Sequence, residues 1–202
     1  SKVFDEDELA FIAELCLRHD AYAVCDEVYE HIIFDDRRHV SIMTLPGMRD
    51  RTVRIGSAGK SFSLTGWKVG YVTAGSEAMK AIAKTHQFMT FTTPPNLQCG
   101  AATGLRLGDE YFSTLALDMQ RKRDGLAGAL SDIGFEVLPA HGTYFVTTDF
   151  RPLGFNGTDE DFCRHITVKA GVTAVPVSAF YGQPQNAPRH LARFCFCKHE
   201  AT

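Results

Sequence analysis

The run Ser57-Ala-Gly-Lys-Ser-Phe-Ser-Leu-Thr-Gly-Trp-Lys68 offers an amine at Lys60, a hydroxyl at Ser57 and a second cation at Lys68. Upstream, Cys25-Asp-Glu-Val-Tyr29 adds a carboxylate at Asp26 and a phenol at Tyr29. A lysine amine is a nucleophile toward carbonyls and forms Schiff bases with them. An acid can hold a ring nitrogen in its protonated, electron-withdrawing form. A phenol that hydrogen-bonds a neighbouring oxygen favours that oxygen's anionic state. A hydroxyl and an ammonium suit a phosphate. The set points to chemistry through a carbonyl carried on a phosphorylated ring.

Those side chains need a scaffold. Ala21 to Cys25 is a short, mostly apolar run ending in Asp26, the pattern of a buried parallel strand with an acid at its carboxyl end. Ligands of open α/β sheets gather at such ends. Thr52 to Gly56 and Val69 to Ala74 read as two more strands. A helix starts in the acidic run Asp5 to Leu9 and keeps Leu9, Ile12, Ala13, Cys16 and Leu17 at helical spacing. Ser76 reads as the cap of a helix running to about Phe88, and another is expected over Leu97 to Leu107. A long helix from Asp109 to Asp132 carries Leu115, Met119, Leu126 and Leu130 on one stripe and stops at Gly134. After Gly134 the texture changes. Strands at Phe135 to Leu138, Thr143 to Thr148, Val172 to Val175 and Leu191 to Cys197, with a helix from Thr158 to Ala170, describe a small α+β domain.

With 45% hydrophobic and 22% charged residues, the 202-residue chain can bury a substantial core. Its formal net charge of −3 argues against a nucleic-acid or membrane-surface role. No run of 18 apolar residues and no leading basic-then-apolar segment is found, so neither a transmembrane helix nor a secretory signal is expected. The six cysteines form no Cys-x-x-Cys pair and read as reduced, buried residues of a cytoplasmic protein. Cys195-Phe-Cys197 lacks a second ligand pair at zinc spacing, so no metal is expected. Two rival motifs fail on the letters. A P-loop needs Gly five residues before Gly59, where Arg54 stands. The Ser-x-x-Lys of penicillin-recognising enzymes needs Ser-Asp-Asn and Lys-Thr-Gly, and the nearest string is Lys84-Thr-His86.

The Asp-Glu-x-Tyr segment, the Ser-x-x-Lys…Gly-Trp-Lys segment and the final Arg193-Phe-Cys-Phe segment, in that order, resemble the C-terminal half of fold-type I, class I aminotransferases. The likeness is to the aspartate, aromatic and kynurenine branch and spans nearly the whole chain. It implies pyridoxal phosphate as cofactor and an amino-group transfer between an amino acid and a 2-oxo acid, with aromatic, kynurenine-like or methionine-like substrates favoured. By resemblance, Lys60 bonds the cofactor and moves the substrate proton, and Asp26 partners the pyridine nitrogen. Tyr29 reaches the phenolic oxygen, while Ser57 and Lys68 hold the phosphate. Lys68 departs from the arginine common in aspartate enzymes, which keeps the charge but loses the bidentate fork. Arg193 matches the arginine that grips the substrate carboxylate, with Arg189 as its rival. Phe91 matches an aromatic that reaches the neighbouring subunit's pocket, with a plain core Phe as the competing reading.

The resemblance implies an α/β fold. Residues 1 to 115 would be the C-terminal part of the large cofactor-binding domain, with a mostly parallel sheet. Residues 116 to 202 would be the small domain, cut short at Thr202. It also implies a cytoplasmic homodimer whose Gly-rich phosphate loop, stacking aromatic and Asn-Pro-x-x-Pro-x-Gly run lie upstream, so that the chain by itself is a fragment. Two alternatives stand beside transamination: a β-lyase acting on cysteine conjugates, and the effector half of an aminotransferase-like transcription regulator.

Overall fold

Asp5 opens the first helix through a reciprocal cap. The Glu8 N–H donates to Asp5 Oδ1 at 2.9 Å, and the Asp5 N–H donates to Glu8 Oε2 at 3.1 Å. The helix that follows, α1 (Glu6–Arg18), turns Leu9, Ala13 and Cys16 inward. They join Ala23, Ile42 and Met48 in one apolar cluster. The computed structural model describes residues 1–198, so the expected cut at Thr202 lies outside the described residues. The chain divides into two units, one spanning Val3–Leu115 and the other made of Ser1–Lys2 with the chain from Ala116 onward.

The first unit is built on a three-stranded sheet of order β1-β2-β3. Strand β1 (Ala23–Asp26) runs parallel to β2 (Thr52–Ser57), with Asp26 opposite Ile55. The short helix α2 (Ala58–Ser61) follows β2, and the chain returns as β3 (Gly70–Ala74), antiparallel, with Gly70 opposite Ser57. These three strands are one parallel and one antiparallel pair within the expected α/β fold. A parallel partner needs a crossover that carries the chain back to the far end of the sheet. The link between β2 and β3 instead turns round at the end where β2 finished. β1 departs from the expectation of burial on both faces. Ala23 packs into the α1 cluster, but Val24 is 67% exposed and Asp26 is exposed as well.

Three further helices complete this unit or leave it. Helix α3 (Ser76–Met89) has Gly75 at its cap position, so Ser76 is the first helical residue and not the cap. Helix α4 (Pro95–Gly104) begins before the expected Leu97 because Pro95 sits in its first turn, where the missing N–H does no harm. Helix α5 (Asp109–Asp132) has the expected bounds, buries Met119 and Leu130, and is followed by Gly134 at φ +102.

The second unit holds an antiparallel sheet of order β4-β5-β7-β6, made of β4 (Glu136–Val137), β5 (Phe145–Asp149), β6 (Val175–Pro176) and β7 (Leu191–Cys195). Its core is aromatic. Phe150 stacks on Phe162 at 4.2 Å between centroids, and Phe135 sets its edge against Phe162 and Phe194. Helix α6 (Asp159–Ala170), between β5 and β6, is capped by Thr158. The Asp161 N–H donates to the Thr158 hydroxyl, and the Thr158 N–H donates to the Asp161 carboxylate. Thr158→Ala should cost about 1 kcal/mol of this unit's stability. Thermal unfolding of the variant beside the parent checks this, and an unchanged midpoint would show the cap to be idle.

Candidate active site

Strand direction brings the candidate residues to one end of the first sheet. β1 and β2 are parallel, so Asp26 and Ser57 stand at matching carboxyl ends. β3 starts at that same end, so Lys68 just precedes Gly70, the partner of Ser57. Register also sets the face. Asp26 and Ile55 are partners, and Ser57 lies two residues beyond Ile55, so Asp26 and Ser57 look out of the same side of the sheet. The exposed Asp26 carboxylate accepts the Val28 N–H at 3.3 Å and has no cation within ion-pair distance among the described residues.

Ser57 caps α2, its hydroxyl accepting the Gly59 N–H at 3.1 Å and standing 3.5 Å from the Val69 carbonyl. That cap turns the chain sharply, so Lys60 emerges three residues after the strand end. The Lys60 ammonium lies 5.7 Å from the centre of the Tyr29 ring. Lys68 is held in the left-handed region at φ 55, an unusual place for a side-chain-bearing residue, and is exposed. The bend that brings it there is pinned by the Thr65 hydroxyl donating to the Gly59 carbonyl at 3.0 Å. One sheet end therefore gathers Lys60, Asp26, Tyr29, Ser57 and Lys68.

Arg193 belongs to the other unit, on β7 between Thr147 and Val175. Its guanidinium lies between two rings, 4.0 Å from Phe145 and 4.4 Å from Phe180. Its Nε is buried and has no hydrogen-bond partner among the described residues. A buried donor without an acceptor is uncommon and calls for an explanation. Arg189, the rival, is already engaged. It lies 3.3 Å from Glu160 and 3.8 Å from the buried Asp159, and it donates to the Ser178 hydroxyl at 3.3 Å.

A family model described as "Aminotransferase class I and II" matches residues 1–202. The probable N-succinyldiaminopimelate aminotransferase of Mycobacterium tuberculosis is 37% identical over 207 residues, covering 99% of this chain and 52% of that protein. Human kynurenine--oxoglutarate transaminase 1 is 38% identical over 219 residues, covering all of this chain and 52% of its own. An Escherichia coli structure, described as identifying a methionine aminotransferase function, superposes with a TM-score of 0.91 at 36% identity, over 99% of this chain and 52% of its own. The chain belongs to the class I and II aminotransferase family. It spans about half the length of the curated relatives it matches.

Behind the Asp26 face, the chain carries an ion network that the sequence did not disclose. Cys25 pairs with Arg54 in register, so Arg54 occupies the opposite face of the sheet from Asp26. Its guanidinium donates to Glu27 at 2.7 Å and also pairs with Glu30. Glu27, only 8% exposed, further accepts from Ser41 at 2.8 Å and lies 3.0 Å from His39. The Tyr71 hydroxyl donates to Glu30 at 3.2 Å. Burial pushes the Glu27 carboxyl up, but hydrogen bonds from His39, Ser41 and Arg54 outweigh it and hold the carboxyl below its usual range. Burial raises the Tyr71 phenol, and the Glu30 charge raises it further. Glu27, Glu30 and His39 also lie close enough to share a cation, but the Arg54 guanidinium already serves as one. Gly56 fits the same packing, since a Cβ there would come within 2.2 Å of the Tyr71 ring.

One expectation and one competing reading need correcting. The six cysteines are unpaired but not uniformly buried: Cys16 and Cys163 are, while Cys99 is exposed. Phe91 is not a core residue of its unit. It is 75% exposed, in a run with Phe88 at 87% and Met89 at 78%. Its backbone adopts φ 64, which a bulky residue rarely does.

Proposed function

We propose that the intact protein carrying this chain transfers an amino group between an amino acid and a 2-oxo acid, with pyridoxal phosphate held at the Asp26–Ser57 end of the first sheet. One observation carries this reading: the convergence of Lys60, Asp26, Tyr29, Ser57 and Lys68 on that end. The donor set fits the cofactor. Asp26 has spare acceptor capacity on an open face, suited to a cationic ring nitrogen. Ser57 and Lys68 supply a hydroxyl and a cation for a dianionic phosphate. When bound, the cofactor supplies the electron sink that makes loss of the α-proton feasible. Lys60 would hold the cofactor through its amine, and that amine would also serve to carry the proton at the substrate α-carbon. Asp26 would pair with a protonated ring nitrogen, and the Tyr29 hydroxyl would hydrogen-bond the ring's phenolic oxygen and favour its anionic state. Arg193 would grip the substrate carboxylate through its guanidinium fork.

Aromatic, kynurenine-like or methionine-like donors are favoured, in keeping with the kynurenine and methionine relatives. We also propose a cytoplasmic homodimer with no membrane or nucleic-acid partner. Among the described residues no helix is long and apolar enough to cross a membrane. The exposed Phe88–Phe91 run would meet the partner subunit, with Phe91 near its active site. Sedimentation of the intact protein should give a dimer, and Phe91→Ala should raise KM with little change in stability. A monomer at full activity would refute this.

The function is tested by supplying pyridoxal phosphate, 2-oxoglutarate and in turn kynurenine, phenylalanine, methionine and N-succinyldiaminopimelate. A new amino acid should form, without pyruvate and ammonia from cysteine conjugates. Pyruvate and ammonia as the main products would establish the β-lyase instead, and cofactor binding with no turnover would favour a regulator. The 202 residues alone should not transaminate, because a site half open to water loses preorganised electrostatics. Equal turnover would show these residues to be sufficient.

A further inference from the structure

The segment 26–30 alternates in what it does. Asp26 and Tyr29 belong to the proposed cofactor site, while Glu27 and Glu30 reach the ion network on the opposite face. The backbone alone fastens only the first part of it to the sheet. The Glu27 N–H donates to the Ile55 carbonyl at 2.9 Å, where β1 gives out. Beyond that the chain turns on itself, with Glu30 N–H on the Glu27 carbonyl at 3.0 Å and Ile32 N–H on the Tyr29 carbonyl at 2.9 Å. Tyr29 therefore rides on a turn past the end of the strand ladder. Arg54 bridges that gap. One guanidinium reaches Glu27 on one side of the turn and Glu30 on the other, and Tyr71 adds a bond from β3 to Glu30. The other end of Arg54's own strand carries Ser57 and leads to Lys60.

We propose that Arg54 is a positioning residue. Its guanidinium clamps Glu27 and Glu30 and so fixes the Asp26 carboxylate and the Tyr29 hydroxyl relative to Ser57 and Lys60. This rests on the reading of that sheet end as the pyridoxal phosphate site. Arg54 suits the task because its planar fork engages two carboxylates at once, which a lysine ammonium cannot match geometrically. All three side chains are largely shielded, at 22% exposure for Arg54, 7% for Glu27 and 12% for Glu30, so solvent screens the pairing little. Removing the cation alone leaves two carboxylates facing each other, and they would push the turn apart.

The test measures the dissociation constant of pyridoxal phosphate, by absorbance titration of the intact protein, for Arg54→Met, Arg54→Lys, Glu30→Gln and the double variant Arg54→Met with Glu30→Gln. Thermal unfolding is followed in parallel. Arg54→Met should weaken cofactor binding about 10- to 100-fold, the range seen when a supporting partner of a site residue is lost. Arg54→Lys should fall between Arg54→Met and the parent. The double variant should bind more tightly than Arg54→Met, because the stranded Glu30 charge is gone. If Arg54 is merely structural, the unfolding midpoint will drop while the folded variants bind cofactor as the parent does, and the proposal is overturned. Should Arg54→Met fail to fold, Arg54→Lys decides, and parental affinity there overturns the proposal too. Lys60→Ala and Asp26→Asn separate the two readings. If they leave cofactor binding intact, the site assignment itself is wrong. If they weaken it while Arg54→Met does not, only the clamp is wrong.

Discussion

Lys60→Ala should lower kcat of the intact protein by on the order of 10⁴- to 10⁶-fold, the scale lost when a covalent nucleophile that also moves the proton is removed. The loss should not come from misfolding. Lys60 is only partly buried, on the four-residue helix α2, and its removal leaves the Ser57 cap and the Thr65 tie untouched. Lys60→Arg should be nearly as damaging, because a guanidinium stays protonated and cannot attack a carbonyl. Parallel assays of Lys68→Ala set the contrast. A phosphate ligand contributes binding, so that variant should show weakened cofactor affinity and recover much of its rate at high cofactor concentration. A Lys60→Ala protein within tenfold of the parent would mean that another amine does the work.

Arg193→Ala should lower kcat/KM for amino acids about 30- to 1,000-fold while the cofactor's absorbance persists. A charge-assisted bidentate contact is among the strong ones, and its loss costs on the order of 2–4 kcal/mol. The guanidinium is held between Phe145 and Phe180, so the substrate meets a group already oriented. Arg189→Ala should behave differently. It strands Asp159, which is fully buried and donated to by the Ser178 N–H at 2.7 Å, so its main effect should be on stability. Steady-state kinetics and thermal unfolding of both variants distinguish the two. A silent Arg193→Ala beside a catalytically damaged Arg189→Ala would reverse the assignment.

How much of this the letters disclosed depends on range. Local signals carried far: the acidic start of α1, the full extent of α5 from Asp109 to Asp132, and Thr158 ahead of α6 were all legible from spacing and cap chemistry. The residues at the sheet end were named from the family motifs they sit in, and the structure sets them next to strand ends or on the turns that follow. What the letters did not disclose was non-local. Nothing in Gly66-Trp-Lys-Val69 says that the chain turns back and makes β3 antiparallel. The pairing of Glu27 and Glu30 with Arg54 joins side chains far apart in sequence, through a register that only the folded sheet supplies. The openness of the Asp26 face escaped notice for a related reason. An apolar run reads as buried, but Val24 has no neighbour among the described residues that covers it.

The central claim is that Lys60 is the amine that bonds the cofactor. Borohydride reduction of the intact protein loaded with pyridoxal phosphate, followed by peptide mapping, tests it directly. The pyridoxyl group should be found on the peptide containing Lys60, and nowhere else in stoichiometric amount. Label on Lys68 or Lys84, or no fixed label at all, would contradict the assignment.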